Sequence, residues 1–330
     1  MDFLSQIAFT LIYLVLIILS CELFTNAIEH LGDKLKLGKT ATGSILTVIG
    51  TTMPETIVPL VVIFSAYILK SDITIGQNIA LGGIFGSPFM LSSLSLFFLG
   101  IVLLLNKRKK LELDYSIVKR NYKYFLSAYF LVFISFFINK FLISVCLIIL
   151  YIVFVYRTII KSRKCYLCCE LDELFFKKIF KKYNLAVIFL QILLSVFGLI
   201  LFSHLFMDEI ILISGLIKVN PLILSMIITP FATELPECTN SIIWTKQNKD
   251  DLAMANILGA IIFQSTILMV IGILLTKWSL EKDILLNMIF TLCSSLFILS
   301  NVIIKKRISY RALLICGLFY FGYFIVLFLR

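Results

Sequence analysis

Long apolar runs alternate with short polar segments along the whole chain. A helix needs about 20 apolar residues to cross the roughly 30 Å hydrocarbon core of a bilayer, and most of the runs have that length. The pattern predicts an all-α polytopic membrane protein with ten transmembrane helices. The predicted helices cover roughly residues 3–31, 40–69, 73–105, 122–138, 141–160, 185–216, 219–245, 251–276, 284–304 and 310–329.

Composition supports a membrane protein. Of the 330 residues, 60% are hydrophobic and 15% are charged, and the mean hydropathy is +1.04. Soluble domains are nearer half apolar and a quarter charged. The net charge of +11 comes from short basic clusters between apolar runs, which is typical of a topology signal and not of a nucleic-acid-binding surface. The N-terminal run has no basic segment and no small-residue cleavage site, so we expect a first span and not a signal peptide.

The basic residues also predict an orientation. With the N-terminus outside, the inner loops and the helix ends that adjoin them hold 24 of the 30 Lys and Arg residues. Cytoplasmic loops carry an excess of these residues, and a miscounted helix would scramble the alternation. The distribution therefore predicts an N-out, C-out protein of the cell membrane.

The two halves of the chain resemble each other. Residues 21–58 can be laid on 203–240 without a gap, which places Glu55 on Glu237 and Pro54 on Pro236. Because each half has five predicted helices, the halves must be inverted in the membrane, and interrupted helices at matching positions of an inverted repeat point to a transporter site at the midplane. The predicted organisation is a first repeat at 1–160, a cytoplasmic linker at 161–184 and a second repeat at 185–330, with the site-bearing parts at about 40–105 and 219–276.

The matching positions carry candidate chemistry, "TTMPE" at 51–55 and "TELPE" at 233–237. Proline has no N–H to donate and clashes with the preceding turn, so each helix is expected to break. The carbonyls from about Val48 to Thr51, and from about Pro230 to Thr233, would then lose their helical partners. Irregular backbone at membrane depth is tolerated where it lines a cavity or is buried in protein.

Threonine and glutamate lie four residues apart in both segments, so a hydroxyl and a carboxylate share one face. Two carboxylates, hydroxyls and released carbonyls form an all-oxygen set, which suits hard cations such as Ca²⁺ or Na⁺. The alternative is that Glu55 and Glu237 are merely paired or protonated inside the bundle. No Lys or Arg falls inside the two predicted helices that carry them, 40–69 and 219–245, which favours a cation site.

These segments resemble the two alpha-repeats of the sodium/calcium exchangers, in the cation/calcium exchanger superfamily, whose signature is G-T-S-x-P-E. "IGTTMPETIVPL" is similar to it, and "FATELPECTNSI" keeps Thr, Pro and Glu but has Ala232 and Glu234 in place of Gly and Ser. "IALGGIFGSPFML" and "LAMANILGAIIFQS" resemble the second element of each alpha-repeat. The resemblance implies alternating-access antiport of Ca²⁺ against Na⁺, with helices one and six sliding past the site-bearing helices.

The resemblance also implies roles for individual residues. Glu55 and Glu237 would be the central calcium ligands, Thr51 and Thr233 would add oxygens beside them, and Ser87 would serve a flanking sodium site. The complete set of candidate ligands is Glu55, Glu237, Thr51, Thr233, Thr52, Ser87, Gln264 and Glu234. The departures from the family pattern are Ala260 for the symmetric serine, Leu91 and Gln264 for Asn and Asp of the central site, Pro230 for a small residue and Pro88 for Asn.

These departures leave several functions open. Without the Asp, two formal charges surround the centre, so three-sodium stoichiometry is in question, and glutamine at the Gln264 position is associated with the proton/calcium branch. Glu234 restores the missing charge if it faces the pore and is a bystander if it does not. Proton-coupled antiport of Ca²⁺ or another divalent cation is therefore an alternative, followed by an uncoupled cation pathway or a non-transporting cation-binding protein.

The remaining features predict no enzyme and no resident cofactor. The sequence has no P-loop, so a gradient and not ATP would drive transport. "CYLCC" at 165–169 looks like half a metal site, but no second half follows, and a reduced loop is the better interpretation. The expected partners are the transported cations Ca²⁺ and Na⁺ (or H⁺) and the lipid bilayer, with no nucleic acid and no obligate protein partner.

Overall fold

The computed structural model describes residues 3–34, 53–68, 73–162, 173–176 and 184–329. The prediction of an all-helical chain is confirmed, since these residues form helices and short connections, with one isolated β-bridge between Lys110 and Ser309. The helices are α1 (Phe3–Lys34), α2 (Met53–Ile68), α3 (Ile73–Met90), α4 (Leu96–Leu105), α5 (Tyr115–Ile134), α6 (Lys140–Ser162), α7 (Leu185–Ile217), α8 (Pro221–Thr233), α9 (Leu235–Lys246), α10 (Asp250–Phe263), α11 (Met269–Leu275), α12 (Lys282–Lys305) and α13 (Tyr310–Phe328).

Two π-helical turns join successive α-helices without a break in the helix axis. Leu91–Ser95 links α3 to α4, and Gln264–Leu268 links α10 to α11. Each composite helix is long enough to span a bilayer, at 33 residues for Ile73–Leu105 and 26 residues for Asp250–Leu275.

Membrane insertion is supported by seven helical stretches in the described part of the chain that are long and apolar enough to cross a bilayer. They are Ser5–Phe24, Ile73–Leu105, Lys140–Thr158, Leu185–Ile217, Asp250–Leu275, Lys282–Lys305 and Tyr310–Leu327. Each of the ten predicted runs overlaps a described helix, but α2, α5 and the α8–α9 pair do not qualify by themselves. The count of ten and the orientation therefore stay predictions.

One predicted boundary differs clearly from the structure. The apolar pattern predicts that the fourth helix begins near residue 122, whereas α5 begins at Tyr115. Asp114 caps this helix, because its carboxylate accepts a hydrogen bond of 2.9 Å from the Ser116 N–H, which satisfies one of the unpaired amides of a helix start. Hydropathy misses this first stretch because Lys119 and Arg120 make it polar.

The chain divides into two compact units, and each draws on both predicted repeats. The first consists of Met1–Ala80 and Tyr156–Leu224. Its described residues are dominated by α1 packed along α7, with α2 against both. Leu174 from the linker is fully buried in a cluster with Ala27 and Ile188.

A buried polar network ties that linker segment to α1 and α7. Gln191 donates to the Leu23 carbonyl at 2.8 Å and to Asn26 Oδ1 at 3.0 Å, and it accepts from the Phe176 N–H at 3.0 Å. Asn26 Oδ1 also accepts from the Phe175 N–H at 3.1 Å. Since buried polar groups are stable only when hydrogen-bonded, this network fixes 173–176 in the first unit.

The second unit consists of Leu81–Val155 and Ser225–Arg330. In it α4 packs on α13, α9 packs on α10, and α10 packs on α5. Glycine permits one of the closest approaches, because a Cβ added to Gly86 would overlap the Met226 carbonyl oxygen.

Polar contacts also connect the loop between α4 and α5 to the start of α10. Arg108 forms a bidentate ion pair with the buried Asp250 and donates to the Thr245 carbonyl at 3.0 Å. The Glu112 N–H donates to the same Asp250 carboxylate at 2.7 Å. The loop between α4 and α5 is therefore fastened to the start of α10.

Candidate cation site

The helix break predicted for the second repeat is present. Helix α8 ends at Thr233, α9 begins at Leu235, and Glu234 lies between them with φ −92° and ψ −2°. Pro236 cannot donate a backbone hydrogen bond, which explains the interruption at this point. One detail of the prediction is wrong: the Pro230 carbonyl keeps a partner, since it accepts from the Glu234 N–H at 2.9 Å.

The break holds two buried carboxylates close together. Glu234 is 0% exposed and Glu237 is 1% exposed, and each offers a carboxylate oxygen within 4.8 Å of the other. Glu237 lies in the first turn of α9, where the positive end of the helix dipole stabilises a negative charge. The two carboxylates therefore lie side by side, and the role of Glu234 at a pore stays a prediction.

Two further predicted residues contact Glu234. Gln264 is fully buried, and its Nε2 donates to Glu234 Oε2 at 2.8 Å. The Thr233 hydroxyl donates to Glu234 Oε1 at 3.4 Å. Gln264, Glu234, Thr233 and Glu237 are thus gathered in one oxygen-rich region of the second unit.

Sequence reasoning missed the residues that support this region. Asn256 donates to the Glu237 carbonyl and to Ser241 Oγ, both at 3.1 Å. Ser95 Oγ lies 2.7 Å from Cys238 Sγ. Asn256 stands inside the quoted segment "LAMANILGAIIFQS", where a polar residue in an apolar run was the available signal.

The candidate residues of the first repeat are described less completely. Glu55 lies in the first turn of α2 and is 2% exposed, whereas Thr51 and Thr52 lie outside the described residues. Pro59 lies inside α2 and does not interrupt it. Ser87 is buried in α3 at 2% exposure.

The departures from the family pattern are buried as well. Leu91 is 0% exposed and Ala260 is 5% exposed, and neither side chain offers an oxygen. Leu91 and Gln264 each form the first residue of a π turn. A hard cation here would depend on the carboxylate, amide, hydroxyl and backbone oxygens of the other candidate residues.

Comparison with known proteins gives a family match and several structural matches. The sequence model described as "Sodium/calcium exchanger protein" matches residues 5–160 and 187–329. No curated protein matches the chain. Among solved structures, the "Crystal Structure of H+/Ca2+ Exchanger CAX" aligns with a TM-score of 0.71 at 17% identity, over 100% of this chain and 82% of that one.

Structures of "the sodium-calcium exchanger NCX_Mj" also align. The form soaked with 2.5 mM Na⁺ and 10 mM Sr²⁺ has a TM-score of 0.58 at 18% identity, over 97% of this chain and 98% of that one. The form soaked with 10 mM Na⁺ and zero Ca²⁺ gives 0.58 at 19% identity, over 99% of each chain. At these identities the likeness establishes a shared fold.

Proposed function

The chain belongs to the sodium/calcium exchanger protein family, and from that premise we propose that it is a secondary antiporter that exchanges calcium for a second cation across the cell membrane. The observation that carries the proposal is the family match over both halves, 5–160 and 187–329. Members of this family are transporters and not enzymes, and the transported cations are substrates.

We propose that Glu55 and Glu237 are the central calcium ligands. The support is their equivalent placement in the predicted repeats, the burial of both carboxylates and the proline beside each. An intramembrane carboxylate is expensive to bury and is by default functional. Thr51, Thr52 and Thr233 would add oxygens, Ser87 would serve a flanking site, and Gln264 and Glu234 would complete the set.

The coupling ion is proposed to be sodium, with the proton as the alternative. The neutral Gln264 and the apolar Leu91 both remove oxygen donors or charge that sodium sites would use, which favours the alternative. The Glu234 carboxylate beside Glu237 supplies charge in the same region, which favours sodium. An uncoupled cation pathway or a non-transporting binding protein would lack dependence on the opposing ion.

The proposed topology is ten helices in two inverted repeats, N-out and C-out. It is supported by the asymmetry of Lys and Arg between alternate loops. Cysteines placed at Lys140 and Lys282 should react with an impermeant maleimide from outside intact cells, whereas a cysteine at Lys109 should react only after permeabilisation. Labelling at Lys109 in intact cells would contradict the orientation.

The test of function is radioactive calcium uptake into proteoliposomes. Vesicles are loaded with sodium and diluted into sodium-free buffer, with an imposed proton gradient run in parallel. Glu55→Gln and Glu237→Gln should each abolish uptake, and Glu22→Gln is a matched control because Glu22 is exposed on α1.

Sodium-driven uptake that is lost in both variants would support sodium exchange. Uptake driven only by protons would assign the proton-coupled alternative. Uptake without either gradient would indicate an uncoupled pathway, and the absence of calcium flux in all conditions would overturn the proposal.

A further inference from the structure

The two π turns of the second unit occupy corresponding positions in the predicted repeats. Laying Ser87 on Ala260 also lays Leu91 on Gln264, and these two residues begin the turns Leu91–Ser95 and Gln264–Leu268. Single π turns inside α-helices are rare and are frequently found at functional sites. Their coincidence with positions of the candidate site calls for a physical cause.

Each turn is held by the same arrangement of side chains. In the second repeat, the hydroxyls of Ser265 and Thr266 both donate to the Ile262 carbonyl, at 3.1 and 2.6 Å. A π turn shifts the backbone hydrogen bonds by one residue, and a hydroxyl can donate to a carbonyl of the preceding turn. The two hydroxyls therefore stabilise the wider turn.

The same pair of hydrogen bonds occurs at the corresponding residues of the first repeat. Ser92 donates to the Phe89 carbonyl at 3.1 Å, and Ser93 donates to the same carbonyl. Phe89 corresponds to Ile262, and the two serines correspond to Ser265 and Thr266. In both repeats, two hydroxyls donate to the same carbonyl at corresponding positions.

A π turn changes what the rest of its helix faces. It inserts one extra residue, and each residue of an α-helix turns by about 100°, so every side chain beyond the turn is rotated by roughly that amount. Gln264 stands at the start of the second turn and donates to Glu234 at 2.8 Å. Ser95 stands at the end of the first turn and lies 2.7 Å from Cys238 Sγ.

The contacts with Gln264 and Ser95 lie at the two ends of the segment 234–238, which contains the helix interruption of the second repeat. Glu234 is held by one π turn, Cys238 is held by the other, and Glu237 lies between them. Asn256 adds a third contact through the Glu237 carbonyl at 3.1 Å. The segment is thus fixed on both sides of the glutamate by side chains whose direction depends on the two turns.

We infer that the two hydroxyl-held π turns are positioning elements that orient the Glu234–Cys238 segment, and with it the Glu237 carboxylate, for calcium. The inference rests on the proposed function and extends it to residues that need not touch the ion: Ser92, Ser93, Ser265 and Thr266. Loss of the hydroxyls would let the helix return to α geometry and would turn Gln264 or Ser95 away from its partner.

The test is equilibrium binding of radioactive calcium to the purified full chain. Residues that orient ligands typically change metal affinity by about 10–100-fold when replaced, so Ser265→Ala/Thr266→Val should weaken calcium binding at least about tenfold. Thr266→Ser keeps the hydroxyl and should bind as the wild type does. Thr10→Val is the matched control, because Thr10 donates to the Gln6 carbonyl at 2.9 Å in the ordinary α-helix α1.

A second measurement follows the geometry directly and does not depend on calcium. In Ser95→Cys, oxidation should form a disulfide with Cys238, identified by mass spectrometry of the joined peptides. Adding Ser92→Ala/Ser93→Ala should suppress this disulfide, because the introduced thiol would be rotated away from its partner. Thermal unfolding without calcium identifies any variant that has lost its fold. The yield of the disulfide is then compared only among the variants that remain folded.

The outcomes separate the inference from the function on which it rests. Wild-type protein that binds no calcium would overturn the proposed function, and the inference with it. Wild-type protein that binds calcium, with Ser265→Ala/Thr266→Val binding equally well, would overturn the inference alone. An undiminished crosslink from the introduced thiol to Cys238 after removal of both serine hydroxyls would also contradict it.

Discussion

Arg108 offers a sharp test of how the second unit is held together. It forms a bidentate ion pair with Asp250, which is 1% exposed. Arg108→Ala would leave a buried carboxylate with the Glu112 N–H, at 2.7 Å, as its remaining partner among these contacts. The resulting loss of stability comes from the uncompensated buried charge more than from the lost attraction.

The magnitude follows from the burial of the pair. Removal of one partner of a buried ion pair lowers the free energy of unfolding by about 3–5 kcal/mol. The Arg108 side chain is 18% exposed, so water can reach the vacated space, and we expect the lower end, about 3 kcal/mol. At about 2 cal/mol/K per residue of unfolding entropy, this corresponds to a fall in Tm of roughly 4 °C.

The assay is thermal unfolding of the purified protein, followed by tryptophan fluorescence. Lys109→Ala is the matched control, because it removes a positive charge from an exposed neighbour in the same loop and should leave Tm within about 1 °C. Arg108→Ala/Asp250→Asn should be more stable than Arg108→Ala, because the buried charge is gone. Equal Tm values for Arg108→Ala and Lys109→Ala would refute the reasoning, as would a double variant no better than the single one.

Three further predictions concern packing, the linker and acid. Gly86→Ala should lower the free energy of unfolding by about 1–3 kcal/mol, because its Cβ would overlap the Met226 carbonyl oxygen, whereas Gly259→Ala, with open space around its Cβ, should not destabilise in a parallel melt. Gln191→Leu should lower it by about 2 kcal/mol through lost buried hydrogen bonds and should speed proteolysis of the linker; unchanged cleavage would argue against the network. Calcium uptake should fall as pH decreases toward and below about 4, near the reference glutamate pKa, because protons compete for the carboxylate ligands. A profile that stays flat from about pH 8 to well below that value would argue against carboxylate ligation.

Much of the fold could be predicted because hydrophobic length is a strong signal. The boundaries of α7 and α12 agree with the predicted runs within about two residues, since apolar residues fill both helices. The start of α5 was missed because its first two turns are charged and depend on a capping contact of Asp114. Hydropathy reports contact with lipid and not helix length, so a helix that extends beyond the apolar layer is truncated by the prediction.

The candidate site was predictable in its residue types and less so in its geometry. Two glutamates beside prolines at matching repeat positions identify a cation site by chemistry alone, because apolar helices rarely carry an acid without a functional reason. The role of Glu234 was not decidable from spacing, because this residue joins α8 to α9 with its backbone hydrogen bonds to Pro230 and Cys238 kept, and its role depends on where the carboxylate points. Its direction depends on Gln264, 30 residues away in sequence.

The π turns explain why helical spacing fails at this point. The rule that residues three and four apart share a face holds only within an unbroken α-helix, and one inserted residue shifts the face by about 100°. A projection of 73–105 as one α-helix would therefore misplace either Ser87 or Ser95, which stand on opposite sides of the extra residue in the turn Leu91–Ser95. The sequence signal was available in "LSS" and "QST", where a pair of hydroxyl residues follows Leu91 and Gln264. If these hydroxyls are taken as hydrogen-bond donors to the preceding turn and not as candidate ligands, they indicate a π turn, and with it the change of helix face, in both repeats.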